Sequence, residues 1–244
     1  MPRPPRKISE YGYMHIYTRG VSKQILFEER KDYAFYVRLL KQFSEENHIV
    51  ICAFCLMENH VHLLIFDEEN NVSHFMQQLN MNYAGYFNRK YERTGPLFDG
   101  RFKSIPIENE SYLLTVFRYV LNNPPGAAIC PAAEYEYSSY NRYGRADSFV
   151  DTSVFQELLG SWEEYVEFIN SKYENCLELE GYPRNDEWAK SVIQDMFQVE
   201  SGTALKSFDF KSRNEALRLL KERGLTIKQI ERLTGINRNI VQRA

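Results

Sequence analysis

The segment from His60 to Phe66 constrains the fold more than any other part of this sequence. Its side chains alternate and are rich in branched and aromatic types, a pattern typical of a β-strand. Residues two apart on a strand share a face, so His60 and His62 project together while Val61 and Leu63 point into a core. Two imidazoles on one rigid strand can bind a divalent metal ion, or they can be surface or hydrogen-bonded histidines.

The neighbouring segments predict an α+β fold built around this strand. We expect strands at 11–19, 49–57 and 60–66, an extended segment at 97–107, and helices at 31–47, 72–93 and 110–122. A tight turn at Glu58-Asn59 makes the second and third strands antiparallel. This order matches the ferredoxin-like split βαβ arrangement, an antiparallel sheet with helices on one face, and the last helix lies against or beside that sheet.

After residue 126 the sequence predicts a loop that wraps this domain and then an all-α C-terminal region with a helix-turn-helix. Residues 205–244 have the order helix, helix, Gly-containing turn and helix that is typical of that motif. We expect a first domain at 1–150, an acidic helical connector at 151–204 and a helix-turn-helix-like DNA-binding region at 205–244. The alternative for the last region is a small helical packing module with no role in nucleic-acid binding.

Charge is distributed unevenly along the chain, whose net charge of −3 does not by itself indicate a nucleic-acid partner. Residues 151–200 contain three Lys and Arg against twelve Asp and Glu, whereas residues 204–244 contain ten against four. The basic C-terminal region therefore favours a polyanionic partner such as DNA.

Several features predict a cytoplasmic protein without a membrane partner. No apolar run approaches the ~20 residues that a bilayer span needs, and the basic start of the chain lacks the apolar segment of a secretory signal. Cys52 and Cys55 lie in an apolar strand whose spacing puts them on opposite faces. We expect buried free thiols there, rather than a zinc or redox site, and free thiols favour a reducing compartment.

The helix predicted at 110–122 leads to a second set of chemical groups. Tyr119 and Asn123 are four residues apart, so they share one helical face. If that face meets His60 and His62, two imidazoles and an amide oxygen surround a metal ion beside a phenol, an arrangement suited to phosphoryl transfer. Free tyrosine has a pKa near ~10, so a base must accept its proton, and the sequence does not identify that base. The alternative for Tyr119 is an ordinary packing role, since the chain has 17 tyrosines.

Several spaced motifs agree, in order, with those of a known family. The motifs are MENHVHLL at 57–64, YFNRK at 86–90, GPLFDGRFKS at 95–104, YLL at 112–114, RYVLNNP at 118–124 and YSSY at 137–140. Over roughly residues 8–145 the sequence resembles the HUH single-tyrosine transposases, which are IS200-like, and within them the REP-associated tyrosine transposases. The resemblance implies a metal-dependent endonuclease and strand transferase that acts on single-stranded DNA, often at hairpins, through a covalent phosphotyrosine.

The resemblance also implies roles for four residues. His60 and His62 match the HUH metal ligands, Tyr119 matches the nucleophile, and Asn123 matches the third ligand position, which is Gln in other branches. Because imidazole and amide ligands suit Mn²⁺ at least as well as Mg²⁺, we expect one of these ions as the cofactor. Some family members are dimers that exchange the tyrosine helix and others are monomers, so both states remain open.

Basic residues near the motifs alternate with aromatic ones, as in a channel for single-stranded or hairpin DNA. The candidate DNA-binding residues are Arg89, Lys90, Arg93, Arg101 and Lys103, with Asn237 and Arg238 in the C-terminal region, which could bind duplex DNA. We therefore expect a nucleoid-associated DNA nuclease and transposase. The alternative is a domesticated, sequence-specific DNA-binding regulator with an idle catalytic site.

Overall fold

The computed structural model describes residues 9–171, 186–197, 199, 201–223 and 225–243. The chain divides into two compact units, residues 1–176 and 177–244. The division falls inside the segment expected to be an acidic connector. Some helices of that segment therefore belong to the first unit and the others to the second.

The first unit contains the predicted βαββαβα succession of elements. Its elements are β1 (Tyr13–Arg19), α1 (Arg30–Glu46), β2 (Val50–Met57), β3 (His60–Phe66), α2 (Val72–Lys90), β4 (Lys103–Ile107), α3 (Glu110–Leu121), α4 (Asn123–Gly126), α5 (Ser153–Leu159) and α6 (Trp162–Asn170). The four strands form one sheet in the order β2-β3-β1-β4, and every neighbouring pair is antiparallel. The predicted α+β fold with a ferredoxin-like sheet is thereby confirmed.

The two faces of this sheet are covered by different helices. Val61, Leu63 and Ile65 of β3 are fully buried in a core with apolar side chains of α1 and α2. The intervening residue His62 faces the other way, where its ring contacts the ring of Tyr119 on α3. Hence α1 and α2 pack on one face as predicted, and α3 packs against the opposite face.

A buried carboxylate joins α1 to α2. Asp32, which is fully buried, completes a capping box with Glu29 at the start of α1. Its oxygens also accept hydrogen bonds from the Tyr86 hydroxyl at 2.9 Å, the Tyr91 hydroxyl at 2.6 Å and the Lys90 ammonium. Buried charges need such partners to be tolerated, so this cluster fixes how the two helices pack.

The loop after α4 covers the exposed edge of β2. Ser139 donates its backbone N–H to the Phe54 carbonyl at 2.9 Å, and Tyr137 accepts from the Leu56 N–H at 2.9 Å. The Tyr135 hydroxyl donates to the Leu56 carbonyl at 2.7 Å. An edge strand with unpaired backbone groups invites aggregation, and this loop, expected to wrap the domain, satisfies those groups.

The second unit is helical. It contains α7 (Asp186–Phe197), α8 (Phe210–Glu222), α9 (Ile227–Thr234) and α10 (Arg238–Arg243). Thr226 caps α9 by accepting from the Gln229 N–H, and Gly235, with a φ of 67°, ends it in a left-handed conformation. The three predicted helices at 212–244 therefore exist, while a DNA-binding role for them stays a prediction.

Two other expectations can be compared with the structure. Cys52 and Cys55 are buried free thiols, as predicted, and burial raises the pKa of both. Across the described ranges, no helix has the length and apolar character needed to cross a membrane.

Replacing Asp32 by Asn should lower the free energy of unfolding by about 3 kcal/mol in urea denaturation, because the variant leaves Lys90 without its buried partner. Burial alone would raise the pKa of Asp32, but hydrogen bonds from Lys90, Tyr91, the Glu29 backbone and Tyr86 hold it below its ordinary value of 3.8. A carboxyl group whose pKa is lowered in the folded state stabilises the fold at pH values above its unfolded-state pKa. This stabilisation is lost as the pH falls through the folded-state pKa. The difference from wild type should therefore shrink below about pH 4.

The matched control is Asp99→Asn, which removes an exposed carboxylate paired with Arg19 at 2.6 Å. Exposed pairs contribute less than about 1 kcal/mol, so this variant should unfold nearly like wild type. An equal decrease in the free energy of unfolding in the two variants would contradict the structural role of Asp32.

Candidate active site

His60 and His62 lie on β3, on the face of the sheet that α3 covers. Their ring centroids are 5.1 Å apart. His62 is buried and pairs in register with Tyr17 of β1 and Cys55 of β2, whereas His60, at the start of the strand, is half-buried. Both imidazoles therefore project from one face of the sheet, as predicted.

Helix α3 brings the predicted phenol and amide to the same face. Asn109 caps its start by accepting from the Tyr112 N–H at 2.8 Å, and its apolar side packs against β2 and β3. The Tyr119 ring stands edge-on to the His62 ring, with centroids 5.3 Å apart. Asn123 follows the end of the helix, and its side chain lies beside the His60 imidazole. Burial lowers the pKa of His60, whereas Asn123, which can accept a hydrogen bond from the protonated ring, raises it. The structure thus brings all four residues together.

The hydrogen bonds of the two amides determine which atoms face the ring of His60. Asn123 donates its Nδ2 to the backbone carbonyls of Tyr119 at 2.9 Å and Val120 at 3.4 Å, so its Oδ1 is the atom left for the imidazole. His60 Nδ1 lies 2.7 Å from Asn59 Oδ1. An amide oxygen only accepts, so Nδ1 carries the proton of neutral His60 and Nε2 keeps its lone pair.

Sequence reasoning missed His15 of β1, which belongs to the same cluster. His15 is fully buried, and its Nε2 lies 2.9 Å from His62 Nδ1. The two rings are nearly parallel, with centroids 5.2 Å apart, and the Tyr119 ring stands edge-on to His15 at 5.6 Å. Alternation along β1 puts His15 on a face with Tyr17, but only the pairing of β1 with β3 places it beside His62.

Burial keeps all three imidazoles neutral at pH 7. Burial lowers the pKa of His15 to about 4. It also lowers the pKa of His60 to about 4, although the hydrogen bond to Asn123 acts in the opposite direction. The pKa of His62 lies well below 6.5 because of burial, with further lowering by His15 and His60. Neutral imidazoles can offer lone pairs to a cation at physiological pH.

These groups fit a divalent ion held by two imidazoles and an amide oxygen. His60 Nε2 offers a lone pair, Asn123 donates through its Nδ2 and so presents its Oδ1, and the His62 ring lies beside that of His60. Where the chain is described, no three His, Cys, Asp or Glu side chains form a metal-binding group. Asn123 as the third protein ligand stays a prediction.

The candidate DNA-binding residues of the first unit occupy different surroundings. Lys103 of β4 pairs in register with Tyr17, which pairs with His62, so Lys103 is exposed on the same face as the imidazoles. Arg89 and Arg101 are exposed. Arg93 donates to Gln24 Oε1 and to Asn88 Oδ1.

Lys90 has a structural role that the sequence did not reveal. Its ammonium pairs with the buried Asp32 and with Glu29, at 2.6 Å from the Glu29 carboxylate. This cation therefore serves the contact between α1 and α2, and a role for it in DNA binding stays a prediction.

In the second unit, both candidate DNA-binding residues lie at the start of α10. Asn237 caps that helix through its Oδ1, which accepts from the Asn239 N–H at 2.9 Å. Arg238 is exposed, and its backbone N–H donates to Glu231 at 3.2 Å.

Comparison with known families matches the region that builds this site. The family model described as "Transposase IS200 like" aligns with residues 9–123, from the start of the described chain through Asn123. Residues 9–123 belong to the IS200-like transposase family. The resemblance found in the sequence is therefore confirmed over residues 9–123. No curated protein matches the chain.

One solved structure supports a shared fold, and a second match is weaker. A REP-associated tyrosine transposase bound to a REP hairpin superposes with a TM-score of 0.51 at 12% identity, covering 58% of this chain and 84% of that one. A protein from Deinococcus radiodurans, described as a candidate transposase, gives a TM-score of 0.34 at 18% identity and covers 50% of this chain and 97% of that one. At such identities the first match shows a shared fold.

If the three groups hold a divalent ion, removing one imidazole should strongly weaken the binding of that ion. We expect His60→Ala to weaken Mn²⁺ binding, measured by the electron paramagnetic resonance of free Mn²⁺, by more than the ~10–100-fold that loss of an outer-shell partner costs. His74→Ala is the matched control, because His74 is exposed on α2 and its loss should leave the affinity unchanged. If His60→Ala binds Mn²⁺ as tightly as the wild type, His60 is not a ligand of the metal ion.

Proposed function

We propose that this chain is a metal-dependent, single-stranded DNA endonuclease and strand transferase of the REP-associated group, acting on hairpin-forming repeat DNA. Its nucleophile is Tyr119, and its intermediate is a covalent phosphotyrosine. The observation that carries this proposal is the position of the Tyr119 ring, edge-on to His62 at 5.3 Å, on the helix whose end supplies Asn123.

In this proposal the metal ion is Mg²⁺ or Mn²⁺, and His60, His62 and Asn123 hold it. Such an ion neutralises charge on a phosphodiester and orients it for in-line displacement. The Tyr119 phenol releases its proton as its oxygen forms a bond to phosphorus, the bond from phosphorus to a sugar oxygen breaks, and that oxygen takes up one proton, so the step neither gains nor loses a proton overall. Attack by the terminal hydroxyl of a second strand reverses the step, joins the strands and restores the phenol.

The surroundings of Tyr119 support this chemistry. Its side chain is only 5% exposed, and its ring packs edge-on against the rings of both His15 and His62. A site that excludes water strengthens electrostatic contacts and protects a covalent intermediate from hydrolysis. The rigid elements β1, β3 and α3 hold these groups, which favours a defined attack geometry.

The polynucleotide partner is proposed from two observations. The structure that shares this fold is a transposase bound to a DNA hairpin. On this chain, Lys103 places an exposed cation on the face of the sheet that carries His62, two strands away. A cation in this position can bind a phosphate next to the one that reacts.

Tyr119→Phe should abolish formation of a covalent protein–DNA adduct. The assay incubates protein with a labelled single-stranded hairpin oligonucleotide and Mn²⁺ and detects the adduct by denaturing electrophoresis. Tyr112→Phe is the matched control, since Tyr112 lies on the same helix two turns earlier and should retain wild-type yield. An adduct that persists in Tyr119→Phe would show that another residue attacks the phosphorus.

Lys103→Gln should weaken single-stranded DNA binding and lower the slope of log K against log salt by ~0.7, the value expected for one phosphate contact. Fluorescence anisotropy over a range of KCl concentrations measures this slope. Lys41→Gln serves as the control, because Lys41 is an exposed residue of α1, which packs on the opposite face of the sheet. Equal changes in both variants would indicate general electrostatics instead of a local contact.

The second candidate function is a sequence-specific DNA-binding regulator with an idle catalytic site. The observation that favours it is the compact unit at 177–244, in which α9, the Gly235 turn and α10 follow one another and basic residues are in surplus. Duplex binding that survives His60→Ala and disappears on deletion of 205–244, without any adduct from wild type, would select this function.

A further inference from the structure

His15 and His62 form a buried pair in which only one partner can donate. Their facing atoms, His15 Nε2 and His62 Nδ1, lie 2.9 Å apart. Both rings are neutral, so exactly one of these nitrogens carries the shared proton. Either His15 donates and His62 keeps its own proton on Nε2, or His62 donates from Nδ1 and its Nε2 is free.

Only one of these arrangements is compatible with a cation bound by His62. The Nδ1 atom of His62 is engaged by His15, which leaves Nε2 as the atom that can be a ligand. A protonated nitrogen has no lone pair to give. His62 must therefore donate its Nδ1 proton to His15 Nε2, and neutral His15 must then carry its own proton on Nδ1.

We infer that His15 is the positioning residue for His62: it accepts the Nδ1 proton and thereby keeps the Nε2 lone pair of His62 available for the metal ion. This inference rests on the proposed metal-dependent function. Metal-binding histidines generally donate their second ring N–H to an acceptor that fixes tautomer and orientation. His15 supplies that acceptor from the neighbouring strand.

The other imidazole of the site has the same kind of partner. His60 donates its Nδ1 proton to Asn59 Oδ1 at 2.7 Å, and an amide oxygen can only accept. Its tautomer is therefore set before an ion arrives. His62 differs because its partner, an imidazole, can either accept or donate, so the tautomer of His62 depends on which nitrogen of the pair carries the shared proton.

The protonation of His15 Nδ1, the ring nitrogen that does not face His62, distinguishes the two arrangements. His15 Nδ1 is buried and has no hydrogen-bond partner among the residues that the structure describes. In the arrangement that leaves His62 Nε2 free for an ion, the proton of His62 is on Nδ1 and that of His15 is also on Nδ1. The number of protons on the pair is the same in both arrangements.

Imidazole nitrogen shifts from long-range ¹H–¹⁵N correlation spectra of the full chain test this directly, with MgCl₂ as a diamagnetic probe. We expect His15 and His62 both to be Nδ1-protonated in the Mg²⁺-saturated protein. A His15 ring that keeps its proton on Nε2 in that state overturns the inference. This measurement uses the wild-type chain, so it remains decisive if a variant fails to fold.

Variants give an independent readout through Mn²⁺ affinity, measured by electron paramagnetic resonance. His15→Phe keeps a buried ring but no acceptor, and should weaken Mn²⁺ binding by ~10–100-fold. His15→Gln, which offers an amide oxygen, should restore most of that loss. Leu64→Ala is the matched control, because Leu64 is buried and is the register partner of His15; it should bind Mn²⁺ like wild type.

Wild-type affinity in His15→Phe, or an equal loss in Leu64→Ala, would overturn the positioning role. These results are distinct from failure of the proposed function. If wild type binds no Mn²⁺, both ideas fail. If wild type binds Mn²⁺ and forms the Tyr119 adduct while His15→Phe matches it, only the role of His15 fails.

Discussion

The packing of α3 against the sheet is the contact on which the site depends. A ferredoxin-like sheet with helices on one face leaves its other face open, and here that face carries His15, His60 and His62. Helix α3 covers it and buries His15 and His62 almost completely. The same contact brings Tyr119 edge-on to two imidazole rings, so one packing event creates both the dry environment and the set of reactive groups.

Burying three imidazoles is costly unless they are neutral and hydrogen-bonded. The sheet meets both conditions, since His15 and His62 hydrogen-bond each other, His60 hydrogen-bonds Asn59, and burial lowers the pKa of all three rings. Neutral rings are also the form that binds a cation. The arrangement that makes the polar cluster tolerable inside the fold is therefore the arrangement that suits a metal site.

The parts of this site that the sequence predicted are those governed by local periodicity. A period of two placed His60 and His62 on one face, and a spacing of four placed Tyr119 near Asn123. The contacts of His15 and Lys90 could not be predicted in this way, because their partners are distant in sequence. The position of His15 beside His62 follows from the register of β1 with β3, and the pairing of Lys90 with Asp32 follows from how α1 and α2 pack.

The distribution of the site over several elements links the site to folding. Its groups come from β1, β3 and the end of α3, so an unfolded chain cannot assemble them. An ion that binds only the folded arrangement stabilises it by mass action. The central strands β1 and β3 are already fixed by their neighbours and by the α1–α2 core, whereas α3 is held mainly against β2 and β3. Bound metal would therefore act chiefly on the docking of α3, the helix that presents Tyr119.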